Sequence, residues 1–391
     1  MYRIGQEEID ELSKVINSGD LFKINGGIQE SKQVEEKLKN LFGCEYPIFM
    51  TSGHAALTSA LVAMGVGPGD EVIVPGYTYI ATAMAVVAAG AIPVIAEIDD
   101  TLTISPEDIK KKISKHTKAI IPVHIQGFPC DMKTIMEIAR EHNLLVLEDA
   151  CQADGGSFGG KRLGTIGDAG ALSFNYFKIV TCGEGGALLT NKRELFENAL
   201  IYHDSSAIAF FGDQMRDFDA DGFCGNEYRS NELCAAVLNV QLSRMDGILN
   251  DLRSNKKYMM DQLAGVCKFI PSNDIAGDCG STLAIQFNSE EDARRFATAE
   301  GIDGVLPIDT GKHVYSHWTP VINKRGAMNP LMDPFKMEAN KDIIPDYRAD
   351  MCPETLEKLA KVVYLWVQPN HNKEQLDSQI RYITAALKRD R

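Results

Sequence analysis

Six short apolar runs, separated by stretches with helical periodicity, leave this chain few folds to choose from. The runs are Glu71 to Pro75 (EVIVP), Ile92 to Ile98 (IPVIAEI), Ala119 to His124 (AIIPVH), Leu144 to Asp149 (LLVLED), Ala171 to Phe174 (ALSF) and Ala187 to Thr190 (ALLT). Strands that are apolar along nearly their whole length must be covered on both faces, and the intervening helices supply the cover. The expectation is an α/β domain with a mostly parallel sheet flanked by helices. Ligands of such sheets sit outside the carboxyl ends of the strands, which directs attention to His124, Asp149 and the segment holding Lys178.

From about Leu242 the pattern changes. A helical stretch, Arg244 to Gly265, leads into shorter strand-like pieces, a loop-like stretch near Arg325 to Pro345 and a final helix. At 391 residues the chain holds one large or two ordinary domains. Residues 1–249 are therefore assigned to a large α/β domain with an N-terminal helix, and residues 250–391 to a smaller C-terminal α/β domain.

A composition of 45% hydrophobic and 24% charged residues is that of a soluble globular protein. The formal net charge of −14 and the lack of a long basic run argue against a general nucleic-acid binder, while leaving room for a small anion held locally. The longest apolar run, Ala83 to Ala96, is broken by Gly90 and Pro93 and falls short of the roughly 20 residues needed to span a bilayer, so no membrane association is expected. The start, MYRIGQEEIDELSKVI, is acidic and amphipathic, unlike a secretory signal. Nine cysteines lie scattered without paired metal-type spacing, which points to reduced thiols in the cytoplasm and no metal centre.

Within the first domain, SFNYFKIVTCGEGGALLT (Ser173 to Thr190) sets one lysine, Lys178, among apolar and aromatic residues before a glycine-rich turn. An ammonium is rarely buried unless it is paired or does chemistry. In apolar surroundings a lysine's neutral amine becomes available to attack a carbonyl and form a Schiff base. The glycines do not form a dinucleotide loop, because GEGG follows the lysine segment and leads into a strand rather than a helix.

Three other segments carry possible chemistry. In TSGHAALTSALVAMG, Thr51 to Gly65, small polar residues precede an alanine-rich helix whose free N–H groups can bind phosphate; an ordinary helix capped by Ser52 explains the same text. In LEDACQ, Asp149 at a strand end can pair with a cationic ring nitrogen, or serve as a turn residue. In PGYTYIATA, Tyr79 can stack on a planar ring or belong to the core.

Taken together, TSGHAAL, DEVIVPGYTYIATA, IIPVHIQGFPCDM, the stretch from Leu147 to Thr190 and GNEYRSNELCAAVLNVQL resemble the DegT/DnrJ/EryC1/StrS sugar aminotransferases. These are fold-type I enzymes dependent on pyridoxal 5′-phosphate, and the resemblance covers nearly the whole chain. It implies that Lys178 carries the cofactor and moves the proton, and that Asp149 holds the pyridine nitrogen protonated. It likewise puts Gln152 near the ring hydroxyl, Tyr79 on the ring face, and Ser173 with the backbone of Gly53 and His54 on the phosphate. Asn226, in GNEYR, matches an asparagine that reaches the neighbouring subunit's phosphate, implying a homodimer with shared sites. His54 departs from the family's usual threonine, with the backbone contact expected to persist.

The resemblance implies L-glutamate as donor and, for most members, a nucleotide-linked keto sugar as acceptor. Two stretches, Asp204 to Gly225 and Val305 to Pro320, resemble instead members that aminate a free eight-carbon sugar acid at an aldehyde. His203, Arg229, His313, His317 and Arg325 are the basic residues able to meet its carboxylate. Dehydratases of the family carry histidine in place of the lysine, so Lys178 indicates the transaminase branch. A desulfurase would need a nucleophilic cysteine, for which Cys182 is placed by proximity. A non-catalytic binding protein is the remaining alternative, though it could dispense with Lys178, Asp149 and Asn226, all of which are present.

Overall fold

The computed structural model describes residues 3–23, 27–205 and 218–388. The chain opens with helices α1 (Gln6–Ser18) and α2 (Glu30–Phe42). It continues through β1 (Tyr46–Met50), α3 (Gly53–Ala63), β2 (Glu71–Pro75), α4 (Ala81–Ala88), β3 (Ile92–Ala96), α5 (Pro106–Lys112), β4 (Thr117–Ile120), α6 (Met132–Glu141) and β5 (Leu145–Asp149). A small hairpin, β6 (Ser157–Phe158) and β7 (Lys161–Arg162), precedes β8 (Ala169–Ser173), β9 (Gly186–Thr190) and α7 (Arg193–His203).

Among the described residues the main sheet has the order β1-β9-β8-β5-β4-β2-β3. The pairings from β3 through β2, β4 and β5 to β8 are parallel, whereas β9 runs antiparallel to both β8 and β1. Every residue of β2, β3, β8 and β9 is buried, which is why these strands carry unbroken apolar text instead of alternation. Each of the six apolar runs overlaps one strand. The seventh strand, β1, is one of the two edge strands, YPIFM, whose proline and half-buried first residues hide the pattern.

Since β1 and β8 are both antiparallel to β9, they run the same way. The start of α3, just after β1, therefore lies at the same sheet edge as the ends of β5 and β8. Alanine-rich α3 is buried on nearly all sides and lies against α4, α7, β8 and β9.

The expected domain boundary at 249/250 falls within a single helix, α8 (Glu232–Gln262). A buried stripe at Leu238, Leu242, Met245, Leu249, Leu252 and Met259 runs across that position, so the helix has one continuous reason to persist. It packs on α1 and α2 at one end and reaches the final helix, Lys373–Lys388, at the other. Beyond it come β10 (Lys268–Phe269), β11 (Thr282–Gln286), α9 (Glu290–Ala297), the short α10 (Thr319–Ile322), α11 (Pro353–Ala360), β12 (Val362–Trp366) and α12 (Lys373–Lys388). The last three strands form an antiparallel sheet, β10-β11-β12. The loop-like stretch from Arg325 to Pro345 holds only two single-turn 3₁₀ helices. No helix among the described residues is long and apolar enough to cross a membrane.

Candidate active site

At the carboxyl edge of the main sheet lies a cleft of about 780 Å³. Gly53, His54, Tyr79, Asp149, Gln152, Ser173 and Lys178 line it, together with Lys312, His313 and Trp366 from the second half of the chain.

Asp149 ends β5 and is 5% exposed. Its Oδ2 accepts a hydrogen bond from Thr82 Oγ1 at 2.7 Å, and its Oδ1 accepts one from the Cys151 N–H at 3.1 Å. A strand end and the first turn of α4 thus fix one carboxylate in orientation. Its neighbour Cys151 is half-buried beside it, and desolvation there pushes that thiol well above its ordinary range. Gln152 Oε1 accepts from the Gln126 N–H at 3.1 Å, which ties the turn after β5 to the turn after β4.

The first turn of α3 faces the same space. Ser52 caps the helix, its Oγ accepting from the Ala55 N–H at 3.1 Å, while the N–H groups of Gly53 and His54 precede the first intrahelical bond. Capping and anion binding are therefore compatible here. A Cβ on Gly53 would stand 2.6 Å from Cys151 Sγ and 3.0 Å from Ser173 Cβ, so only glycine lets the helix come this close to the strand ends. Gly186 plays the matching part from below, since its Cβ would stand 2.5 Å from Gly53 N. The second half of GEGG thus serves close packing of β9 under α3.

His54 Nδ1 lies 3.3 Å from the Ala81 carbonyl oxygen, to which it donates when it carries the proton. Burial holds this imidazole below its ordinary pKa, so at neutral pH it is an uncharged side chain that pins α3 to α4.

Tyr79 is 38% exposed, and Tyr77 takes the core position two residues earlier. The Lys312 ammonium lies 4.9 Å from the Tyr79 ring centroid and 3.4 Å from its hydroxyl. The His313 ring is 5.3 Å from the same ring and is held below its usual pKa, chiefly by burial.

Lys178 answers the question its sequence context raised: it is half-buried and projects into the cleft, while Tyr176 and Phe177 beside it are 61% and 77% exposed. Thr181 Oγ1 and the Cys182 N–H both donate to the Phe174 carbonyl, at 3.1 and 3.0 Å, and fix the loop that carries the lysine.

The remaining expected residues lie elsewhere. Asn226 is exposed and does not line the cleft of its own chain; its N–H donates to the Tyr202 carbonyl at 2.7 Å. His124 is fully buried, accepting from the Cys130 N–H at Nδ1 and donating from Nε2 to Glu148 at 3.0 Å, a clamp between β4 and β5. Cys182 does not line the cleft, and the Cys234 thiol together with burial pushes its own thiol well up, which unfits it as a nucleophile.

Of the basic candidates only His313 lines the cleft. Burial takes His203 down to about 3, Arg229 pairs with Asp204 and Glu227, and His317 and Arg325 are exposed. Most of the Asp204 to Gly225 stretch lies outside the described residues. Thr82 and Lys312 are additional site residues, legible in hindsight as one helical turn beyond Tyr79 and the residue before His313. No cluster able to hold a metal ion is present among the described residues.

A covered α/β sheet with a lysine, an acid and a helix N-terminus at its carboxyl edge defines a fold-type I transferase. The profile of the DegT/DnrJ/EryC1/StrS aminotransferase family matches residues 2–314, and the chain belongs to that family. It is similar to a GDP-perosamine synthase from Vibrio cholerae, 37% identical over 221 residues, which is 56% of this chain and 58% of that protein. A dTDP-3-amino-3,6-dideoxy-alpha-D-galactopyranose transaminase from Aneurinibacillus thermoaerophilus is 34% identical over 320 residues, 80% of this chain and 85% of the other. An aminotransferase structure from Psychrobacter cryohalolentis superposes with a TM-score of 0.80 at 27% identity, covering 99% of this chain and 98% of that one.

The cofactor is pyridoxal 5′-phosphate. The site fits it on its own terms: an amine, an oriented carboxylate, a ring-sized aromatic wall, and a helix start whose approach to Ser173 a Cβ at Gly53 would block.

Proposed function

We propose that this protein is an aminotransferase that moves an amino group from L-glutamate to the carbonyl of a sugar. The observation that carries the reading is the convergence of Lys178, Asp149 and the α3 N-terminus on one cleft. When bound, the cofactor supplies an electron sink for the carbon that bears the amine. Asp149, oriented by Thr82, would hold a proton on the ring nitrogen, and Tyr79 would offer a face to the ring. Gln152 would meet the ring hydroxyl, and Ser173 with the N–H groups of Gly53 and His54 would take the phosphate. Lys178 Nζ removes the proton from the substrate carbon and returns it. Asn226 completes the phosphate site of a second copy in a homodimer.

For the acceptor we propose the C8 aldehyde of 3,8-dideoxy-8-oxo-manno-octulosonate, giving 8-amino-3,8-dideoxy-manno-octulosonate. Lys312, beside Tyr79 in the same cleft, supports a substrate with its own carboxylate. A nucleotide-linked keto-deoxyhexose is the second reading, favoured by relatives named for GDP- and dTDP-linked sugars.

The test is a visible spectrum of the protein with pyridoxal phosphate, before and after glutamate, alongside Lys178→Ala. A band that glutamate bleaches, absent or altered in the variant, is expected. Unchanged turnover in Lys178→Ala, or a band indifferent to every amino donor, sinks the reading. Offered both acceptors, the aminated enzyme is expected to turn over the free sugar acid; saturable preference for the nucleotide-linked sugar reverses the choice between them.

A further inference from the structure

The turn after β4 holds a strained residue whose side chain the proposed reaction leaves unused. Two consecutive residues there, Gln126 and Gly127, have left-handed backbones, with φ of 54° and 84°. Glycine is required at the second, where a Cβ would stand 2.7 Å from Cys279 Cβ. At the first, glycine would relieve strain, since the left-handed region disfavours a side chain and glycine has none. The chain keeps a glutamine there all the same. Residues held against their backbone preference gather where a side chain is needed in one place.

Neighbouring segments over-determine that conformation. The Gln126 N–H donates to Gln152 Oε1 at 3.1 Å, and the Gln126 carbonyl accepts from Ser281 Oγ at 3.2 Å. The Gly127 carbonyl accepts from the Cys279 N–H at 3.1 Å, and Asn273 Nδ2 donates to the Pro129 carbonyl at 3.0 Å. The turn is thus held between the turn after β5 and the segment that leads into β11. Gln126 is half-buried and lines the cleft with both of its backbone polar groups already engaged, so what it adds there is its amide. That amide is bonded to no described residue, and its polar atoms are not among those shut off from solvent.

An amide offers a donor and an acceptor without charge, which suits the hydroxyl groups of a sugar. The carboxylates of glutamate call for cations, and among the described residues of the cleft Lys178 and Lys312 supply them. The place of Gln126 agrees with the first of these tasks. It is bonded to Gln152, the residue proposed at the ring hydroxyl, and in pyridoxal phosphate that hydroxyl stands on the carbon next to the one bearing the reactive aldehyde. A group beside Gln152 therefore borders the point where substrate reacts.

We propose that Gln126 is a specificity-determining residue for the acceptor half-reaction, its side-chain amide hydrogen-bonding hydroxyl groups of the sugar while Gln152 and Ser281 hold its backbone left-handed. The assignment rests on the aminotransferase reading. Glutamate, which has no hydroxyl group, gains nothing from Gln126.

Stability and the two half-reactions test it. In cofactor-free protein, Gln126→Gly is expected to keep its thermal midpoint within about two degrees of the wild type or above it, because relief of the left-handed backbone offsets the added freedom of the unfolded chain. A larger fall makes the side chain a packing residue and overturns the proposal. In holoenzyme, bleaching of the cofactor band by glutamate reads the donor half-reaction, and its return on adding acceptor reads the other. Gln126→Gly is expected to leave the glutamate dependence within about twofold while raising the acceptor concentration for half-maximal return about tenfold. Gln126→Asn, which keeps the amide and tolerates the left-handed region, is expected to recover part of that loss. An unmoved acceptor dependence, or equal losses in both halves, overturns the proposal.

Direct binding separates this from failure of the aminotransferase reading. The alcohols made by reducing the carbonyl of each of the two acceptors cannot react, and are titrated calorimetrically into wild-type and Gln126→Gly holoenzyme. Weaker binding to the variant upholds the Gln126 contact even where glutamate bleaches nothing. Equal binding, or none to either protein, overturns it even where amino transfer proceeds.

Discussion

Thr82 shows how a site can depend on a residue that carries no chemistry of its own. Its hydroxyl donates to Asp149 at 2.7 Å and is also 2.8 Å from Thr78 Oγ1, so a short polar chain inside an alanine-rich segment aims the carboxylate. A hydrogen bond to a charged group contributes about 1.5–3 kcal/mol, so Thr82→Val is expected to weaken cofactor retention about 10- to 100-fold, with Thr82→Ser close to the wild type. Dialysis followed by absorbance reads this directly; equal retention in the valine variant would show that Asp149 keeps its aim without the hydroxyl. At this scale the sequence announces residues that stand out chemically from their neighbours. Lys178 in aromatic text and Asp149 closing an apolar run are legible, while Thr82 is one threonine among several until α4 turns it inward. Lys312 was hidden for a related reason: its place depends on a return of the chain to Tyr79 from 233 residues away.

At the scale of elements, continuous apolar text identified the buried strands because burial on both faces removes any need for polar residues. The same criterion missed β1, whose first two residues are only half-buried and include a proline. The text changes pattern after Leu242, but a helix does not have to end where composition shifts, and the buried stripe carries α8 through. The approach of α3 to β8 is another relation that only assembly reveals, although the glycine that permits it stands in plain sight. A methyl group at Gly53 would collide with Cys151 and crowd Ser173. Gly53→Ala is expected to cost about 1–3 kcal/mol of local packing and to lower affinity for pyridoxal phosphate about tenfold or more, with circular dichroism unchanged. Adding Cys151→Ala, which empties the closer contact, is expected to recover part of that affinity. If the single variant binds as tightly as the wild type, α3 does not need contact with the strand ends to hold the phosphate.

For the whole molecule, the question is whether one chain contains a complete site. Seven of the eight residues expected from the sequence line the cleft, and the eighth, Asn226, is exposed outside it. The same chain leaves Tyr176 and Phe177 largely exposed beside Lys178, an aromatic pair that a solitary domain has little reason to show to water. A two-fold dimer reconciles both, since each copy would cover the other's aromatic pair and lend it an asparagine. The arrangement makes a quantitative demand. In such a dimer Lys178→Ala and Asn226→Ala would each disable both sites of their own homodimer, yet a mixed dimer would concentrate both defects in one site and leave the other intact. Random reassortment makes half the dimers mixed, so equal amounts unfolded and refolded together should regain about a quarter of wild-type activity, measured as glutamate-dependent amination. If the mixture is no more active than its components, Asn226 acts within its own subunit or not at all, and the cleft of a single chain already holds everything the phosphate requires.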